Sequence, residues 1–374
     1  LICITCLSAI LFILSNAFSS IVTVYNESKA YNGYTLFSPF DENSVMLIDM
    51  QGNRRHFWSS SNPRDESPKP ILKGNILDYI SMSTSSIASG IAEIDWNGNV
   101  LFSFFSEEHS FLHHDQEKTR KGNYMILGSK FHTIPSISPS TLQDDFIIEV
   151  DLHGNIIWEW MTSDHFDEFG FSEEAKRIIW EGTPYDENHV DVFHTNSIQV
   201  IPENRFYNQG DNRFRPGNIL VSQRNTNIVF VIDKNSGKIV WKVGPEDNVS
   251  IGQHHASMIR KGYPGAGNIL LFDNGGEGGY PQRYRSTSRI IEINRDKEIE
   301  WLYTARNFSN SYMGSAQRLP NGNTMICEAV KGRIFEVTMT GEIVWEYLHT
   351  DPNQEHDSKS IYRAYRVGLD WPSE

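Results

Sequence analysis

Along most of the chain, apolar and polar residues alternate in short runs. RIIEI followed by KEIEWLY is the clearest, with Ile291 and Ile293 and then Ile299 and Trp301 on one face. A period of two is that of a β-strand whose one face packs on a neighbour. Written beneath one another, the runs form a recurring unit. A polar or His-bearing segment opens it, then come a PNGN-like turn, an apolar strand, an x-E-I-D strand, a G-x turn and an I-x-W strand. The best copies are QHHASMIRKGYPGAGNILLFDNG with SRIIEINRDKEIEWLY, and GSAQRLPNGNTMICEAV with GRIFEVTMTGEIVWEYL. Earlier copies begin at YTLFSPF, GNILDYI, GNYMILGSK and GNILVSQR.

The outer aromatic of each copy falls at Trp58, Phe102, Trp158, Trp241, Trp301 and Trp345, at intervals of 44 to 83 residues. The shorter intervals match a four-stranded propeller blade of about 40 to 50 residues. The pattern predicts an all-β fold, a six-bladed β-propeller of four-stranded blades. The first copy lacks its opening segment, and SIYRAYRV at 360–367 is left over. That piece is expected to supply the missing inner strand and close the ring. The long interval before Trp241 holds one partly helical insertion, with a helix around 172–180, expected to cover one mouth of the ring. No linker divides residues 31–367, which read as a single propeller domain.

Nine Trp, 27 Gly and 15 Pro suit many strands and tight turns. Residues 1–25 carry no charge before Glu27, and their first 20 read as a secretory signal or, alternatively, a membrane anchor. The protein is accordingly expected to be secreted, periplasmic or extracellular. Cys3 and Cys6 lie in that segment, leaving Cys327 as a small buried strand residue. A formal charge of −14 argues against nucleic acid as a partner.

Side chains that open the inner strands of a propeller converge on its central channel. Three openings carry histidine: HHD, FHTNS and QHH. Aligned on the small or apolar residues Ala316, Ala256, Ile198 and Ala364, with Gln116 at the corresponding place in HHDQ, the ring holds Gly314, His254, Asn196, Tyr362 and His114. The doubled histidines leave His113 against His114 and His254 against His255 open, and the alignment favours His114 and His254. Arg224, in LVSQRN, follows the His194 segment and can fork onto an oxyanion or pair with a carboxylate. Phe193, Tyr280, Tyr284 and Tyr312 are candidates for an aromatic wall. No HxH or HExxH motif suggests a metal.

In this order HHD, DVFHTNS, SQR, QHHA and GNILLFDNG resemble the bacterial-type aryl-sulfate sulfotransferases, over roughly residues 31–367. The resemblance implies transfer of a sulfuryl group from an aryl sulfate to a phenol through a transient sulfohistidine, without a nucleotide sulfate donor, cofactor or metal. It implies His254 as nucleophile and His194, His114 and Arg224 as further catalytic residues. Arg224 would also bind sulfate, and Asn196 completes the His-x-Asn pair. Tyr362 and Arg363, placed at the channel by the closing strand, join the expected substrate-binding set. Arg224 and protonated or donor histidines would neutralise the charge spread over the transferring group. The expected partners are small aryl sulfates and phenols, while self-association and anchoring through the N-terminal segment stay open. A noncatalytic ligand-binding propeller and an aryl sulfatase are the alternatives.

Overall fold

A computed structural model describes residues 21–40, 42–60, 67–81, 90–109, 111–182, 189–349 and 360–373. The segment read as a signal lies outside these residues. The chain forms six antiparallel sheets arranged as propeller blades. Blades 2 to 5 each take four successive strands, and blade 3 adds the two-residue strand His189–Val190. Blade 1 takes its inner strand, Ile361–Val367, from the far end of the sequence. The ring is thus closed as expected. Blade 6 gains a fifth, outermost strand, Ile21–Tyr25, paired with Ile343–Leu348. This strand belongs to the uncharged stretch whose pattern gave no sign of it.

The repeated tryptophans have a physical reason. Indole N–H groups donate to turn carbonyls of the next blade: Trp58 to Asp95 O, Trp241 to Arg295 O, Trp301 to Met339 O and Trp345 to Met50 O, at 2.8–2.9 Å. Each ties the outer strand of one blade to the next blade, and at Trp345 the bond is buried, where an unmet backbone acceptor would be costly. In blade 3 the bond to Gly237 O comes from Trp160, two residues beyond the repeat position Trp158. In blade 1 the repeat position is held by His56, whose Nε2 meets Trp96 O at 2.7 Å, and Trp58 lies two residues further on. Phe102 has no N–H to donate. It stacks instead on Tyr124 of blade 3, with ring centroids 4.1 Å apart.

The insertion before blade 4 contains the helix Glu173–Glu181, capped by Ser172 Oγ on the Ala175 N–H. Its buried face holds Ala175 and Ile179, and Ile179 with the preceding Phe169 packs into the core between blades 3 and 4. Phe166 and Phe169 back Phe193, so the described part of the insertion buttresses the turn that carries His194. Cys327 is buried on a blade 6 strand, where Sγ faces Ile361 O at 3.4 Å.

Candidate active site

Four inner strands lose their regular register near the start. The slips fall between Leu112 and Gln116 in blade 3, Thr195 and Ser197 in blade 4, His254 and Ser257 in blade 5, and Ile361 and Ala364 in blade 1. Such bulges re-aim side chains and break the alternation of faces. His114 and His255, inside such slips, sit at φ of 65° and 49°, and His194, in the turn just before the strand Thr195–Val200, sits at 50°. Left-handed backbone costs a residue other than glycine about 1–3 kcal/mol, and it persists where surrounding contacts demand it. Consecutive residues can therefore both face inward, contrary to strict alternation.

The re-aimed side chains meet in the channel. The His114 ring lies 5.1 Å from that of His194 and stacks on Tyr362 at 5.5 Å, 21° from parallel. His194 is oriented by Asp191, three residues earlier. Its backbone N–H donates to one carboxylate oxygen at 3.0 Å, and Nδ1 meets the other at 2.5 Å. Sequence reasoning missed Asp191, although the D-V-F-H spacing was visible. His254 is 2% exposed, with Nδ1 at 2.8 Å from Asn274 Oδ1 and Nε2 accepting the Met313 N–H at 3.2 Å.

Arg224 follows the strand Ile219–Gln223, and its N–H donates to His194 O at 3.0 Å. Its guanidinium bonds Asn225 Oδ1 at 2.7 Å, makes no ion pair among the described residues, and leaves Nε buried without a partner. The carboxylate alternative is thereby excluded among the described residues. Asn196 is fully buried, donating through Nδ2 to Gln253 O at 2.8 Å, with Oδ1 unpartnered.

A second layer follows one residue further along the same strands. Arg363 pairs with Asp115 at 3.1 Å and donates to Asn196 O at 3.1 Å, while Lys69 reaches the other Asp115 oxygen at 3.0 Å. His255 belongs to this layer, with Nδ1 on the Ala316 N–H at 3.4 Å and its ring edge to Tyr365. His113 turns away from the channel, to Ser129 Oγ at 2.6 Å and Asp145 at 3.3 Å. Each doubled histidine thus splits between two environments.

Burial pushes His254 well below its ordinary value, and Arg224 and His194 add to the shift. His114 is lowered likewise, first by burial and then by His113, His194, His254 and Arg363. Burial thus favours the neutral form of both imidazoles, so of the protonated or donor histidines expected from sequence the protonated form is disfavoured at these two positions. Fixed positive charge comes from arginine. Nearby Asp115 holds Arg363 firmly charged despite burial.

The aromatic candidates divide as well. Phe193 is core packing, and the Tyr280 hydroxyl donates to Val192 O at 2.9 Å. Tyr284 and Tyr312 are exposed. A cleft of about 620 Å³ lined by His56, Trp58, Asp78 and Trp96 shares no residue with the channel cluster. Among the described residues, no group of His, Cys, Asp and Glu could hold a metal ion, and no helix is long and apolar enough to cross a membrane.

Residues 87–350, which contain the three His-bearing strands and Arg224, match the family model described as Arylsulfotransferase (ASST). The chain belongs to the arylsulfotransferase family. No curated protein matches the sequence. A protein of unknown function from Bacteroides caccae is similar in structure, with a TM-score of 0.53 and 14% identity over 90% of this chain and 99% of that one. Virginiamycin B lyase from Staphylococcus aureus aligns with a TM-score of 0.45 and 10% identity over 91% and 89% of the two chains. At such identities the likeness concerns the fold alone.

Proposed function

We propose that the protein transfers a sulfuryl group from an aryl sulfate to a phenolic acceptor through a transient sulfohistidine on His254, without a nucleotide sulfate donor. The observation that carries this reading is the convergence of His114, His194 and neutral His254, from three blades, beside the guanidinium of Arg224, which makes no ion pair among the described residues. In the first half-reaction Nε2 attacks sulfur, the S–N bond forms, and the S–O bond breaks with its electron pair leaving on the phenolate. The acceptor hydroxyl then attacks sulfur from the mouth and releases Nε2. His194, with Nδ1 on Asp191, presents its other nitrogen to give a proton to the departing phenolate and then to take one from the hydroxyl of the acceptor phenol.

Arg224 and Arg363 supply the local positive potential that an anionic substrate needs in a chain of net charge −14. Tyr362, stacked on His114, offers the donor ring an aromatic face. Asn196 keeps an unpartnered amide oxygen beside the Arg363 contact. We also retain secretion, or anchoring by the N-terminal segment, as the proposed location.

The test is turnover of a chromogenic aryl sulfate with and without a second phenol. Release of the coloured phenol should rise severalfold with acceptor, and the acceptor should appear sulfated. Acceptor-independent release with free sulfate would indicate a sulfatase, and no release a binding protein. Arg224→Lys keeps the charge but loses the fork. Its kcat/KM for the donor should fall at least about tenfold, or ~1.4 kcal/mol, and unchanged kinetics would remove Arg224 from the site.

A further inference from the structure

Three neighbours of His254 agree on where its proton sits. Asn274, 2% exposed and one residue beyond the strand Ile269–Asp273, turns its amide oxygen to Nδ1 at 2.8 Å. That amide cannot flip, because Nδ2 donates to two carbonyls, Asn310 O and Met313 O, both at 2.8 Å. A carbonyl only accepts, so the nitrogen must face it and the oxygen must face His254. Gly252 O, a second acceptor, lies 3.2 Å from the same Nδ1. On the other side of the ring the Met313 N–H points at Nε2 from 3.2 Å, and it can only donate. The imidazole is therefore Nδ1–H, with its lone pair on Nε2, where the Met313 N–H must give way before that pair can attack sulfur.

We propose that Asn274 is a positioning residue that locks His254 in this tautomer and so makes Nε2 the attacking atom. The proposal rests on the reading of His254 as nucleophile. A neutral amide serves this better than the carboxylate more usual behind a histidine. It fixes the ring without drawing a proton onto Nε2 before attack. After attack it cannot take the Nδ1 proton, so the sulfurylated ring stays cationic and remains a good leaving group for the acceptor. Among the described residues, the charged and titratable groups that act on His254 are Arg224 and His194 of blade 4 and His114 of blade 3.

Long-range 1H–15N spectra of protein labelled in histidine, with His254→Ala to assign the signals, read the tautomer directly and without substrate. The wild type should show Nδ1–H at neutral pH. Asn274→Leu should release the tautomer and slow adduct formation at least about tenfold with little change in donor KM. Asn274→Asp should place a carboxylate beside the ring, favour its charged form, and move the acid limb of kcat/KM upward by at least about one pH unit. A merely structural asparagine would leave that limb in place. An Nε2–H signal in the wild type, an unshifted limb in Asn274→Asp, or an Asn274→Leu protein with altered tautomer and normal adduct rate would each overturn the proposal. A wild-type Nδ1–H signal with no sulfuryl on residues 253–258 would overturn the role given to Nε2, and would trace the failure to the sulfohistidine reading rather than to the tautomer.

Discussion

His254→Ala should lose the sulfuryl adduct on residues 253–258 and the burst of released phenol together, with kcat/KM down by on the order of a thousandfold, about 4 kcal/mol. The first half-reaction then has no attacking nitrogen, and neither of the other two rings is placed to substitute. His194 is held by Asp191, and His114 by its stack on Tyr362. His255→Ala offers the contrast. That ring lies in the deeper layer against Ala316 and Tyr365, so its loss should lower the melting temperature yet leave the adduct on His254. The measurement is mass spectrometry of a digest kept neutral or alkaline, since histidine-bound sulfuryl is acid-labile. An adduct on His255, or normal turnover by His254→Ala, would place the chemistry on another group.

Ending the chain before Ser360 should leave little soluble, folded protein. The strand Ile361–Val367 buries Ile361, Tyr362 and Ala364 almost completely and pairs along the blade 1 strand Tyr34–Pro39. Its removal exposes that edge. It also takes away Arg363 and Arg366, the buried partners of Asp115 and Glu336. Breaking one buried pair costs about 3–5 kcal/mol, so losing both rivals the whole stability of about 5–15 kcal/mol expected of a domain. Soluble yield and a thermal melt decide the matter. If the truncated chain melts with the full one, this strand does not close the ring.

Much of the architecture was written in the repeats, because each copy carries its own strands, turn and outer aromatic. The blade count and the closing strand both followed from that local grammar. The bulges did not. His114, His194 and His255 take left-handed backbone without a glycine to announce it, so a ring built on regular alternation gave His114, Asn196 and His254 equal standing. In the fold His194 meets His114, while Asn196 looks toward the second layer. The strand Ile21–Tyr25 was hidden for another reason: its partner lies in blade 6, and its own pattern continues that of the segment before it. Asn274 looked like part of a propeller turn in FDNG. Its meaning depends on Met313, which local sequence cannot bring near it.

Blades 1 and 6 meet at a seam where both take strands from remote parts of the sequence. Ile21 pairs with Leu348, and Pro39 with Ile361, about 320 positions apart in each case. Contacts of such separation form late, since loop closure must precede the gain. During synthesis the middle blades can be completed one after another, yet blade 1 has no inner strand until residues 361–367 leave the ribosome. The channel therefore cannot assemble before residues 361–367 have emerged. His114 acquires Tyr362, and Asp115 acquires Arg363, only at the final docking step. A half-made copy carries no working centre.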